Sequence, residues 1–129
     1  MAILTEDRFT GAGHYLVSEA AGMYRSREQG VIASGSGIVK PATVLGRITA
    51  DGATKGKYKP LAPAASDGTQ TAVAILWEGC DATAADVRRT VTVRDCEVHA
   101  DVLVFAEGTT DNQKTAALAS LAAAGVIGR

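Results

Sequence analysis

The sequence has little of several things, and each scarcity excludes a class of protein. Aromatic residues make up 5% of the 129 residues, and there are two cysteines, three prolines and one tryptophan. Lys plus Arg (13) almost cancel Asp plus Glu (14), leaving a formal net charge of -1. A chain this near neutrality lacks the basic excess with which nucleic-acid and anionic-membrane binders neutralise phosphate. Cys80 and Cys96 can close one bridge at most, so the chain is no disulfide scaffold, and both are expected to be reduced. No apolar run approaches the roughly 20 residues that cross a bilayer, and residues 1–8 show no basic flank before an apolar stretch. Synthesis in a cytoplasm is therefore expected.

What the chain has in quantity is alanine, glycine and short extended segments. At 129 residues it is the size of one domain, large enough to bury about two thirds of its unfolded surface. A core of small side chains gains little burial energy per residue, so association with copies or partners is an expected source of stability. Charge divides unevenly: residues 1–60 carry 8 basic and 5 acidic residues, and residues 61–129 carry 5 and 9.

Residues 1 to about 36 show no helical stripe. Phe9, Tyr15, Leu16, Val17, Met23 and Tyr24 are scattered among glycines, and the extended patches at 15–18 and 24–28 cannot bury a face alone. A flexible N-terminal arm over residues 1–36 is predicted, with residues 37–129 as the β-rich domain. From residue 38 the pattern is strands and turns. Residues 43–49 read as a strand before the turn signal Asp51-Gly52, whereas Pro60 and Pro63 forbid a central strand after Tyr58. Residues 71–77 are apolar nearly throughout, as in a strand covered on both faces. Val91 and Val93 share one face while Cys96 and Val98 fall on the other parity, which predicts a turn or bulge near Arg94-Asp95. One helix is signalled: Thr110 and Gln113 are spaced as a capping box, residues 111–124 are good helix formers, and Gly125 stands where a left-handed cap belongs. Val126 should then touch Leu121. Leu118, Leu121, Ala122 and Gly125 share one face, and the largely alanine opposite side suggests a helix covered on more than one side.

Chemistry is thinly signalled. Gly35-Ser36-Gly37 before Lys40 lacks the spacing of a phosphate loop and runs into Pro41, so a hinge is expected. On a strand Cys96 and His99 point to opposite faces, which argues against zinc. His14 and His99 are the only histidines, and no nucleophile–base pairing is evident. The cluster Lys55-Gly56-Lys57-Tyr58-Lys59 reads as a solvated loop rather than a base-stacking groove. No enzyme activity, catalytic residue, cofactor or metal is expected.

The order of segments is more telling than any one of them. Ser26-Arg27-Glu28, then residues 42–49, then Tyr58-Lys59-Pro60-Leu61, residues 64–76, residues 91–95 and the helix and tail from Gln113 to Arg129 together resemble the head decoration proteins of tailed bacteriophages, the lambda type. The resemblance covers most of residues 15–129. It implies a mainly β fold (β-rich α+β), a small compact β domain with one C-terminal helix and an extended N-terminal arm. It also implies a homotrimer that sits on the outer surface of the expanded phage head, binds the major capsid protein and stabilises the virion against internal DNA pressure, with no direct nucleic-acid or membrane partner. The front of this chain is longer than the lambda arm. On this reading the capsid-binding residues are Tyr15, Leu16, Val17, Tyr24, Arg25, Ser26, Arg27 and Glu28, whose extended backbone could add a strand to a capsid sheet edge. The alternative is a trimeric phage or cell-surface adhesin with a glycan-binding β body, for which the supply of aromatic platforms is small.

Overall fold

Alternating apolar positions and turn residues resolve into ten short strands, one α-helix and a short 3-10 turn at Ala100–Val102 among the described residues, which in this computed structural model are 11–22 and 24–129. In chain order the strands are β1 (Leu16–Glu19), β2 (Arg27–Ile32), β3 (Gly37–Val39), β4 (Val44–Arg47), β5 (Tyr58–Pro60), β6 (Ala72–Leu76), β7 (Cys80–Ala82), β8 (Val87–Thr92) and β9 (Cys96–Val98). The helix α1 (Asp111–Ala123) and the strand β10 (Val126–Gly128) follow. Strands β2-β5-β4-β6-β8 close a barrel, β1-β9-β10 form a three-stranded sheet, and β3-β7 form a two-stranded ribbon. The fold is mainly β with one helix near the C-terminus, as expected.

Two apolar clusters share the barrel wall. Ile32, Leu45, Tyr58, Ala74, Leu76 and Val91 form one. Tyr15, Val44, Ile75, Val98, Leu121 and Val126 belong to the other, which joins the wall to α1 and the three-stranded sheet. Adjacent residues therefore serve opposite faces: Val44 and Ile75 pack one way, Leu45 and Leu76 the other. This is why residues 71–77 are apolar nearly throughout. Closure of the barrel also removes the exposed strand edges that invite aggregation.

Local signals account for the chain's corners. Asp95 has φ +52°, and the backbone turns there between β8 and β9, so Val91 and Val98 both end buried despite their parity difference. The capping box forms both of its bonds, Thr110 N–H to Gln113 Oε1 at 2.9 Å and Gln113 N–H to Thr110 Oγ1 at 3.2 Å. Gly125 follows at φ +94°, and an added Cβ would lie 3.2 Å from the Asp95 nitrogen, so both conformation and space select glycine.

Three expectations are corrected. Pro60 does end a barrel strand, tolerated because it is the last residue of β5 and the next N–H, that of Leu61, makes the bond to Val44 O at 2.9 Å. The helix buries Ala117 and Leu121 with Leu118 packed alongside, while Ala122 and the alanine back are exposed. The third concerns the N-terminal boundary. Residues 1–10 of the predicted arm lie outside the described residues, but β1 pairs with β9 and β2 is a six-residue barrel strand paired along its length with β8. The division after residue 36 therefore cuts through the folded body. Its patches cannot bury a face alone, and long-range pairing with β8 and β9 supplies the missing edge.

Candidate functional site

The residues predicted to meet a partner, 15–17 and 24–28, lie on two segments that the fold brings together. Tyr15 immediately precedes β1, Arg27 and Glu28 begin β2, and the Arg94-Asp95 turn lies beside both. Their side chains divide sharply.

Three of them hold the structure together. Tyr15 is 0% exposed. Its hydroxyl shares a 2.6 Å hydrogen bond with Thr92, and burial raises its pKa well above the ordinary phenol value. Ser26 is also fully buried; its hydroxyl accepts from Ala20 N–H and donates to Asp95 O, each at 3.1 Å, tying the end of β1 to the turn. Arg27 donates to Glu19 from Nε at 3.1 Å and from Nη2 at 2.6 Å. Its guanidinium also stacks 3.8 Å from the centroid of the Trp77 ring. Tyr15 meets the same indole edge to face, with centroids 6.1 Å apart. Gly13 packs against that ring so closely that a Cβ would fall 2.3 Å from its carbons. Trp77 is thus a platform that fixes residues 13–19 to the barrel. Tyr15 and Ser26 point inward and cannot offer side chains to a partner, which corrects their place in the predicted set.

Val17, Tyr24, Arg25 and Glu28 face outward. Val17 is 44% and Tyr24 85% exposed. Arg25 makes a 3.4 Å ion pair with Asp95. Glu28 is paired with Arg94, which also donates from Nη1 to Arg25 O at 2.9 Å. Leu16 is half-buried and packs on the core. The result, among the described residues, is a polar edge of alternating charge with the aromatic Tyr24 and the aliphatic Val17 standing exposed. Such a surface can dock on a protein.

Elsewhere, several of the residues weighed for chemistry are buried or paired. Cys80 and Cys96 are free and buried. Burial, with the nearby Glu19 and Asp95 charges, pushes the Cys96 thiol up to about 11, which keeps it protonated and unreactive. Among the described residues no group of three or more His, Cys, Asp or Glu could hold a metal ion. Lys57 of the basic cluster is bonded to Asp86 at 2.6 Å, and Tyr58 is buried in the barrel.

Sequence reasoning missed Trp77 and Glu19 as the partners of Arg27: Trp77 lies far along the chain, and Glu19, though near in sequence, meets Arg27 only once β1 and β2 are both placed. It also missed Ile38, an aliphatic residue 78% exposed on β3. A signal existed: in a strand of three residues, Ile38 and Val39 must face opposite ways, so both cannot be buried by one core.

A family model described as that of the bacteriophage lambda head decoration protein D matches residues 3–126. No curated protein matches the chain.

Proposed function

Because the chain belongs to the bacteriophage lambda head decoration protein D family, we propose that it binds the outside of an expanded phage head as a trimer and stabilises the shell against internal DNA pressure. The match over residues 3–126 carries this reading. Its direct partner is the major capsid protein, and it acts in the virion by binding rather than by catalysis, with no cofactor, after synthesis in the host cytoplasm. The physical logic is linkage: a protein that binds only the expanded lattice stabilises only that lattice. Three copies on one trimer raise effective concentration, so avidity can exceed the affinity of one contact by about 10²–10⁴.

Within the predicted capsid-binding set, Val17, Tyr24, Arg25 and Glu28 are the side chains available for that contact. Arg27, Tyr15 and Ser26 serve it indirectly by holding the segment in place. Mixing the protein with undecorated heads tests the reading. Co-sedimentation at saturating stoichiometry, with heads more resistant to heat or chelator, is expected. Heads that sediment without the protein would overturn it, and binding to a glycan array instead would support the adhesin.

A further inference from the structure

At one end of the barrel β2, β5 and β6 begin while β4 and β8 finish, as their parallel and antiparallel pairings require. The inward-facing rows run out there, with Val93 two positions beyond the buried Val91 and Glu28 two before the buried Gly30. Arg47 lies opposite Tyr58 in register, its guanidinium 5.8 Å from the ring centroid. This rim surrounds a depression of about 480 Å³, whose lining includes Arg47, Tyr58, Gln70, Val73 and Val93. The mouths of β-barrels are a recurrent place for ligands.

The polar groups at the mouth are not all satisfied. Glu28 and Arg94, which also line it, are paired with each other, so their charges cancel. Arg47 donates from Nε to Gly56 O at 3.2 Å but makes no salt bridge among the described residues. Gln70 accepts the Gly68 N–H on Oε1 at 2.8 Å, which leaves its NH2 group to donate elsewhere. Tyr58 is 6% exposed, and its hydroxyl has no partner among the described residues. No unpartnered side-chain nitrogen or oxygen there is sealed from solvent, so this hydroxyl opens into the depression that Tyr58 lines. Burial raises its pKa, and the group therefore keeps its proton and donates. A tyrosine this deeply buried ordinarily has a hydrogen-bond partner.

We propose that the barrel mouth binds a carboxylate on a short apolar stem, its oxygens accepting from Arg47, Tyr58 and Gln70 and the stem resting on Val73 and Val93. One uncompensated cation matches a single negative charge, and a guanidinium suits the planar geometry of a carboxylate. The two valines favour an organic acid over a fully hydrated inorganic anion. A free organic acid and an acidic side chain of a docked protein both supply this group.

The test titrates the full chain with butyrate and with butyramide, an uncharged molecule of the same shape, and follows the Val73 and Val93 methyl groups by NMR. Butyrate should shift these signals saturably and butyramide should not. Tyr58→Phe keeps the ring and should weaken butyrate about 2- to 10-fold, whereas Arg47→Gln should weaken it about 10- to 100-fold. An equal response to the two probes, or no response to butyrate, overturns the proposal, and this comparison needs no variant to fold. Unaltered butyrate affinity in both variants, with circular dichroism showing them folded, overturns it too. Saturating butyrate added to undecorated heads then identifies the source: loss of head binding assigns the carboxylate to the shell protein, and unchanged head binding assigns it to a free acid. A chain that binds butyrate but no heads would overturn the proposed function and leave this site standing.

Discussion

Arg27 shows how a residue's role is set by what it touches. In an extended arm its guanidinium would be a free cation, and Arg27→Ala would weaken capsid binding without lowering the melting temperature. In the folded chain its side chain is 23% exposed, is bonded to Glu19 through two nitrogens and covers Trp77. Arg27→Ala is therefore expected to cost about 1–3 kcal/mol, since it strips a charged hydrogen-bond partner from Glu19 and uncovers the indole. Arg27→Lys should recover only part of this, because an ammonium cannot make the two-pronged contact and stack at once. Trp77 is the only tryptophan, so thermal unfolding followed by its fluorescence reports the loss directly. An unchanged melting temperature for Arg27→Ala would mean that the clasp contributes nothing. At the other non-glycine corner, Ala42 is buried with φ +71°. It accepts from Val104 N–H and donates to Leu76 O, both at 2.9 Å, so a bulkier or β-branched residue there is expected to be poorly tolerated.

At the scale of elements, the N-terminal strands and the C-terminal helix make separable predictions. Deleting residues 2–30 removes β1 and most of β2, and with them one of the two barrel partners of β8, so the barrel should fail to fold. Circular dichroism on the truncated chain checks this, and a folded protein lacking residues 2–30 would show that β2 is dispensable. In α1, Leu121 is 0% exposed. Leu121→Ala should cost on the order of 2–5 kcal/mol as a large-to-small core change. Gly125→Val should destabilise as well, by left-handed strain and by collision with the Asp95 backbone. Urea unfolding measures both. Substitutions of the exposed Ala122 should be far milder, and equal costs at 121 and 122 would contradict the observed facing of the helix.

For the whole molecule, the surface carboxylates predict how stability follows pH. Asp67 and Asp81 are held below the ordinary range by the hydroxyls and N–H groups of Thr69 and Thr83, Asp86 by Lys57 and the Ser34 N–H, and Glu97 by Arg129. Groups with depressed folded values contribute stability that is fully present above their unfolded values near pH 4. That contribution is lost as pH falls through the lower folded values. The melting temperature should be flat near neutrality and decline below about pH 4, with a shallower decline in Asp86→Asn. A melting temperature that rises on acidification would contradict the sign of all four shifts. All four carboxylates are exposed enough to be screened, so the decline should soften in high salt.

The sequence by itself determined the features whose causes are local. The capping box at Thr110 and Gln113, the left-handed Gly125, the turn at Asp95 and the doubly covered β6 each follow from residues within a few positions of one another, where sterics and hydrogen bonding act at short range. The family resemblance was legible in the same way, from the order of such segments. Tertiary structure alone decided the fate of residues 13–32. A strand's edge is satisfied by whichever strand lies beside it, and β1 and β2 find theirs at β9 and β8, far along the chain, as with Leu16 opposite Val98 and Ile32 opposite Val87. Glycine-punctuated and aperiodic, those residues look unstructured until that pairing exists. The same closure turned Tyr15 and Ser26 inward, left Tyr24 and Val17 outside, and placed Ile38 beside a groove built from β5 and the segment around Val104. Which side chains remain free to meet a partner is a property of the closed barrel, because burial is set by contacts between segments that the sequence keeps far apart.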